Sequence, residues 1–382
     1  MYLGQQWFDR LERRWAKPAY SGGLLGCLAI FFFIAATNTL SGWLYVMSGV
    51  LFALLGLAVR LVMQNVQGIR VDRHAMEPVT AGEPLQIRLE VCNTTRRPKT
   101  LIKVEDRIPP ALGQIQAQVL ETLAPRSSQT LTYEQPTSQR GIYRWQAVDL
   151  LTGAPLGLFW ARRPQPCPTM AIVHPMVLSL QRCPMIDQLG RDMSLQFNSD
   201  RRIQSANEGV TRSLRPYRWG DPIRLIHWRT SARYGELRVR ELELFTAGQE
   251  VVICLDSARS WSPEDFEQAV VAAASLYFYG QRQQLRMSLW TAGTGLVQGD
   301  RAVLDTLAAT NPNELVYAES LPDCPIIWLT PNGESVSTLP PSSRWILWSS
   351  QAASSSQVPT AAHPGLWVQP DRPLVQQLQA EL

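Results

Sequence analysis

The stretch "EVVICLDSARSW", Glu250 to Trp261, decides how the C-terminal third of the chain is built. Val251 to Leu255 are apolar without interruption, and the run ends at Asp256. A short, unalternating run of this kind suits a strand covered on both faces, as in a parallel sheet. Pro263 then opens a segment in which Phe266, Val270 and Ala273 recur at helical spacing. "LRMSLWTAG" reads as the next strand and "RAVLDTLAAT" as a helix, while "CPIIWLTPNG", "SRWILWSS" and "GLWVQP" read as further buried strands. This alternation predicts an open, mainly parallel α/β sheet of Rossmann type over residues 248–382, with ligands expected at the carboxyl ends of its strands. The segments "TPNGESVSTLPPSSR" and "SSQAASSSQVPTAAHPG" are rich in Ser, Pro and Ala and read as surface loops between the last strands.

Upstream, residues 176–247 form a connecting segment whose centre is "LRPYRWGDPIRLIHWRTSARYGELRVRE", Leu214 to Glu241. Asp221 and Pro222 supply helix-start chemistry and Gly235 a left-handed stop, so the spacing predicts a helix between them with Leu225, Trp228 and Ala232 on one apolar face. "ELRVREL" follows as a strand, with Leu237 and Val239 facing opposite to Arg238 and Arg240. Arginines interleaved with aromatic rings could grip nucleic acid. However, no nucleic-acid fold signature accompanies them, and Asp221, Glu236, Glu241 and Glu243 are available to pair with them. A hydrolase would draw on Asp221, His227 and Ser231, but the histidine and serine lie four apart on one helix and there is no nucleophile elbow. The arginines are better used to dock one domain on another.

Between residues 68 and 175 the pattern changes to short alternating runs separated by turn residues. "LQIRLEVCN" places Leu85, Ile87, Leu89 and Val91 on one face. "TLIKVEDRIP", "SSQTLTYEQ" and "GIYRWQAVDLLTG" add strands, and "GAPLGLFWARR" reads as a strand-turn-strand corner. The spacing predicts a small antiparallel β-sandwich of immunoglobulin or fibronectin type.

From Pro18 to Val59 there are 42 consecutive uncharged positions, enough for two helical crossings of about 20 residues each. "ATNTLSGW" is the turn between spans placed at 20–37 and 43–63, inside an N-terminal segment covering residues 1–67. Arg10, Arg13, Arg14 and Lys17 precede the first span, and Arg60, Arg70 and Arg73 follow or close the second. The positive-inside rule therefore puts both ends, and the whole body, in the cytoplasm.

Composition agrees with part of the chain avoiding water. Of 382 residues, 45% are hydrophobic and 13 are Trp, while 18% are charged against the about 25% usual in soluble domains. The net charge of +4 is too mild to imply nucleic acid by itself. Six dispersed cysteines, with no C-x-x-C pair, and four scattered histidines argue against a zinc site and for small core thiols in a reducing compartment.

The central stretch resembles the signature of the domain of unknown function 58 family. Leu214, Arg215, Tyr217, Gly220, Asp221, Arg224, Ile226, Trp228, Ser231, Ala232, Arg233, Leu237, Val239, Arg240 and Glu241 carry the resemblance, and the membrane hairpin and β region also look like that family. The resemblance implies a von Willebrand factor A-like C-terminal domain. In such a domain, Asp256 resembles the first ligand of an Asp-x-Ser-x-Ser metal site, with Ser260 as its last hydroxyl. Here Ala258 replaces the middle hydroxyl, Arg259 adds a positive charge, and Pro331 and Asn332 follow "IIWLT" where another aspartate is often offered. The site is expected to be degenerate, with no cofactor beyond a possible magnesium ion. The resemblance further implies a non-catalytic adaptor or assembly factor in the bacterial plasma membrane, working with a MoxR-type AAA+ ATPase. Arg215, Tyr217, Gly220, Asp221, Arg224, Trp228, Ser231, Arg233, Arg240 and Glu241 would form an interdomain hub. The rival functions are a metal-dependent, adhesion-type protein-binding module and, behind it, a nucleic-acid binder or hydrolase.

Overall fold

The computed structural model describes residues 16–189, 210–218, 226–243, 250–317, 322, 324–348 and 363–381. It divides into two compact units, Met1–Pro175 and Met176–Leu382.

The first unit opens with two apolar helices, α1 (Tyr20–Thr39) and α2 (Gly42–Val66), each long and apolar enough to cross a membrane. Leu40, in left-handed backbone with φ 52°, turns the chain between them. Ala29 and Ala36 are buried one heptad apart on α1, and the buried Ser48 hydroxyl of α2 donates to the Ala29 carbonyl at 3.0 Å. Phe31, Phe33, Ile34, Val50, Phe52 and Leu57 point outward, the reverse of a helix pair folded for water.

Two sheets follow. The first joins β1 (Ile69–Arg73), β2 (Pro84–Asn93) and β5 (Ser128–Pro136) in the order β1-β2-β5, all antiparallel. The second runs β7-β6-β3-β4, built from β3 (Lys99–Asp106), β4 (Gln116–Leu123), β6 (Gly141–Thr152) and β7 (Phe159–His174). Lys17–Pro18 and Val79–Thr80 add short pairings along β7. Along β2, Leu85, Ile87, Leu89 and Val91 are buried while Gln86 and Arg88 face solvent, as their alternation predicts. They meet Ile102, Val104, Leu120, Trp145, Val148 and Leu150 of the other sheet in one core, the expected sandwich.

The end of α2 is part of that core. Val62 and Val66 pack into it. Asn65 Nδ2 donates to the Thr100 carbonyl at 2.8 Å and to Thr152 Oγ1 at 3.0 Å, and Thr100 N returns a bond to Asn65 Oδ1 at 3.2 Å. Lys99 Nζ donates to the Gln64 carbonyl at 2.5 Å. A cation there answers the partial negative charge of a helix C-terminus. At the other end, Ala19 N donates to the Leu158 carbonyl at 2.9 Å. Gly22 then passes so close that a Cβ would stand 2.0 Å from that oxygen, which requires glycine.

Arg73, counted in the sequence as a charge closing the second span, instead lies inside the sandwich. Its side chain is 2% exposed and that of Asp106 is 1% exposed. The guanidinium donates to both Asp106 oxygens, at 2.6 and 2.7 Å, and to the Cys167 carbonyl at 2.9 Å, and stacks 5.0 Å over the Trp145 ring. Tyr133 and Trp145 complete the carboxylate's shell, the phenol donating at 2.6 Å and Nε1 at 2.9 Å. Burial, then the Asp106 charge, push the Tyr133 phenol far above its usual range. A second buried carboxylate, Asp149, is held by Arg107 and Arg162, with Nε distances of 2.6 and 2.9 Å.

In the second unit, β8 (Val210–Pro216) and β9 (Arg238–Glu243) form an antiparallel ladder, with α3 (Trp228–Tyr234) between them in sequence. The main sheet contains β10 (Glu250–Leu255), β11 (Arg286–Thr291), β12 (Gly295–Val297), β13 (Ile326–Thr330), β14 (Arg344–Trp348) and β15 (Gly365–Val368). Its order is β12-β11-β10-β13-β14-β15, parallel throughout except for the antiparallel edge strand β12. Helices α4 (Pro263–Arg282) and α5 (Asp300–Ala309) lie on the face that carries Val251, Ile253, Leu255 and Ile327. The opposite face carries Trp290, Trp328 and Trp345 and is closed by Val336 and Leu339, at and just beyond the 3-10 segment Gly333–Thr338. The short helix Leu374–Leu378 ends the described chain.

The buried pair generates a stability expectation. Arg73→Met leaves Asp106 charged and half-answered in the core, and should cost about 3–5 kcal/mol. Tyr133→Phe removes one bond to a charge and should cost about 1.5–3 kcal/mol. Urea unfolding of the detergent-solubilised chain, followed by tryptophan fluorescence, checks both; losses below about 0.5 kcal/mol, the surface range, would refute the network's role.

Candidate functional site

The family signature folds around a short helix. His227 is the N-cap of α3: its Nδ1 accepts from Thr230 N at 3.2 Å and faces Thr230 Oγ1 at 2.6 Å. Ser231 Oγ donates to the His227 carbonyl at 3.1 Å and accepts from Arg238 N at 2.9 Å. Ile226 bridges Val239, and His227 N donates to the Arg238 carbonyl at 2.8 Å, so β9 is held on one side by β8 and on the other by the residues preceding α3. Gly235 closes the helix at φ 71°, as its position predicts.

The expected helix is shorter than its spacing suggested. Ile226 is tied to the strand ladder, and the imidazole of His227 caps a helix that begins at Trp228; the expected start at Asp221 and Pro222 lies outside the described residues. Where it is described, the apolar face is not a buried one: Trp228 is 61% exposed and Ala232 faces solvent, while Leu225 lies outside the described residues; on the strand side, Leu237 also faces solvent. Val239 is buried, together with Ile226 and Ser231.

Of the expected hub, Arg215 is half-buried on β8 and donates to the Pro216 carbonyl at 3.3 Å, and Tyr217 N donates to the Leu237 carbonyl at 2.8 Å. Ser231 is buried, and Arg233 is exposed. Arg240 stands opposite Leu214 and Glu241 opposite Ser213 in the ladder. Gly220, Asp221, Arg224 and the side chains of Arg240 and Glu241 lie outside the described residues. What α3 presents outward is Trp228, Arg229, Arg233 and Tyr234, with the Arg238 guanidinium stacked 4.6 Å over the Tyr234 ring.

A second constellation lies at the carboxyl end of β10. The chain leaves β10 toward β11 on one side and later crosses to β13 on the other, so Asp256 occupies the point where strand order reverses. Its Oδ2 accepts from Thr330 Oγ1, at the end of β13, at 2.9 Å. Ser257 Oγ accepts from Ala292 N at 3.1 Å, just past β11, and the Asp256 carbonyl accepts from Trp261 Nε1 at 2.7 Å. Ser260 is exposed on the same turn. Thr330 and Ser257 were missed in the sequence because single hydroxyl residues at strand ends carry no pattern; the strand-end position of Thr330 was the only available signal.

The donor set fits a divalent cation poorly. It offers one carboxylate and neutral hydroxyls, and Arg259 Nε stands 3.9 Å from Asp256 Oδ2. Among the described residues, no three His, Cys, Asp or Glu side chains gather as a metal site. An open cleft of 610 Å³ lined by Val177, Leu178, Phe278, Arg282 and Leu304 sits at the C-terminal end of α4, which a parallel crossover places at the opposite edge of the sheet.

With this geometry in place, the class is that of a two-unit protein, an apolar hairpin fused to a sandwich and a mainly parallel α/β sheet. Residues 213–307, from β8 through α5, match the family model described as protein of unknown function DUF58. The chain thus carries the segment of the domain of unknown function 58 family that its signature resembles. No curated protein matches it. Among solved structures, a CARDB domain from Pyrococcus furiosus is 15% identical, covering 28% of this chain and 95% of that one with a TM-score of 0.19. A beta-glucosidase from Listeria innocua in complex with glucose is 9% identical, covering 28% and 16%, TM-score 0.18. A GH20 exo-beta-N-acetylglucosaminidase from Vibrio harveyi is 7% identical, covering 54% and 44%, TM-score 0.16. Neither a shared fold nor a shared activity follows from scores this low.

Burial raises the pKa of Asp256, with the Thr330 bond and the Arg259 charge opposing. The folded chain therefore binds this proton more tightly than the unfolded chain, and stability declines as pH rises from about 4 through the folded value. Asp256→Asn should raise the melting temperature at pH 7, with the gain shrinking as pH approaches 4. A gain independent of pH would assign the effect to something other than the carboxylate.

Proposed function

We propose that the protein is a non-catalytic adaptor or assembly factor anchored in the bacterial plasma membrane by α1 and α2, with its body in the cytoplasm, and that its working partner is a MoxR-type AAA+ ATPase. The observation that carries this reading is the outer surface of α3. Trp228 and Tyr234, 61% and 60% exposed, stand with Arg229 and Arg233 on a helix whose polar interior is fully used in holding its own backbone. Tryptophan, tyrosine and arginine are the side chains that dominate protein–protein hot spots. The hydroxyl of Ser231, placed between the His227 carbonyl and the Arg238 amide, is spent on structure, which speaks against a nucleophilic role. The family resemblance supplies the ATPase.

In this reading the α/β sheet is a von Willebrand factor A-like domain. Its sheet order, with an antiparallel edge strand and an aspartate at the reversal point, supports that assignment. A metal-dependent adhesion site is the weaker alternative, since Arg259 already faces the carboxylate.

Cross-linking in membranes followed by affinity purification of the full chain should recover a MoxR-type ATPase. Trp228→Ala combined with Arg233→Ala should reduce recovery at least about tenfold, with the thermal unfolding of the protein unchanged. Equal recovery from the variant, or no ATPase at all, would sink the reading. Calorimetry with magnesium should show no binding heat on the full chain; a heat that disappears in Asp256→Ala would favour the adhesion alternative.

A further inference from the structure

The sandwich and the start of α1 carry a patch of exposed apolar side chains beside the helix ends, and we propose that this patch is seated in the headgroup zone of a phospholipid bilayer. The proposal rests on α1 and α2 spanning that bilayer. Its members are Tyr20, Leu101, Leu156 and Trp160, and each lies close in the chain to a group that holds a helix end.

Trp160 is 46% exposed, pairs with Lys17 in register and packs its ring over Gly153. Leu156, 44% exposed, is on the same turn, adjacent to Gly157, whose carbonyl accepts from Ser21 Oγ at 3.4 Å. Both flank Leu158, the acceptor for Ala19 N. Leu101 follows Thr100, the partner of Asn65, and Thr152 Oγ1 holds the Leu101 carbonyl at 2.9 Å. It stands outward although its φ of 49° is costly for a branched side chain. Tyr20 is the first residue of α1.

The surroundings suit this occupant. Lys17 is exposed beside Trp160, and Arg60, Arg96 and Arg97 are exposed near the end of α2, where Arg97 Nη1 reaches Gln64 Oε1 at 3.1 Å. Glu121 is a carboxylate on β4 between Leu120 and Thr122, the register partners of Ile102 and Thr100. Aromatic rings and leucines framed by cations are what an anionic interface accepts, the rings at headgroup depth and the cations among phosphates. Since the chain neighbours of these residues, Thr100, Gly157 and Leu158, are bonded to helix ends whose apolar side chains face outward, the patch continues the surface that hydrocarbon would cover. The sandwich would thus meet the bilayer as a surface-seated body with a fixed face, and the helix ends would determine that face.

The test places the photocrosslinker p-benzoylphenylalanine at Phe31, Ile115, Leu156 or Trp160 of the full chain, reconstituted in vesicles of phosphatidylcholine and phosphatidylglycerol. Phe31 is exposed on α1 and reports whether the hairpin is in lipid at all. Ile115 is an exposed control next to the Gln116–Asp106 pair, which lies seven residues along β3 from Lys99, roughly 23 Å from the helix end. Phospholipid adducts at 31, 156 and 160 but not at 115, read by mass spectrometry, are the expected result. Adducts at 31 alone would overturn the seated patch and leave the anchor standing. Adducts at 115 equal to those at 156 would also overturn it, and none at 31 would overturn the anchor and the patch together.

Discussion

A helix that leaves an apolar environment ends in carbonyls without partners, and the first unit is organised around answering those at the end of α2. Lys99 supplies a cation to Gln64, Asn65 reaches into two strands, and Val62 and Val66 finish the sandwich core. The strands that do this are also the ones that carry Asp106 and Trp145, so Asp106, the partner of Arg73 from the other sheet, sits a strand's length from the helix end. Helix termination and sandwich assembly are therefore one packing problem. Burying Arg73 and Asp106 is tolerable because the carboxylate receives donors from three side chains on three different strands, which also fixes the two sheets against each other.

The second unit solves a different problem with similar means. Its signature segment has few apolar side chains, and it becomes rigid by turning hydroxyl and imidazole groups inward onto the backbone, with His227 and Ser231 as the connectors. The rings of Trp228 and Tyr234 are left outside. In the main sheet the apolar load is heavy enough to cover both faces, with helices on one and a tryptophan layer on the other. That layer leaves the carboxyl edge between β10 and β13 as a polar opening in an otherwise apolar structure, and Thr330 and Arg259 occupy it.

Much of this was legible in residues. Uncharged length gave the hairpin, alternation gave β2, and continuous apolar runs gave the parallel strands, because each pattern reflects a single periodic burial requirement. Only the start of strand β7 falls within the corner Gly153–Arg163, and the rest is hard to read because its prolines look prohibitive. Pro164 and Pro166 are two apart, so their missing N–H groups fall on one side of the strand, and Pro168 falls where the ladder slips against Trp145 and Ala147. The Arg73–Asp106 pair was illegible because it joins residues 33 apart that each look like ordinary surface charges. The start of α3 only at Trp228 goes with a bridge between Ile226 and Val239, a tertiary contact that local spacing cannot announce.

Only Gln67 and Gly68 separate α2 from β1, and both helix ends are bonded to the sandwich. The link between hairpin and body therefore has no slack. Torque or tension applied to the sandwich passes directly into the two helices, so the first unit behaves as a lever with a fixed fulcrum rather than as a weight on a string.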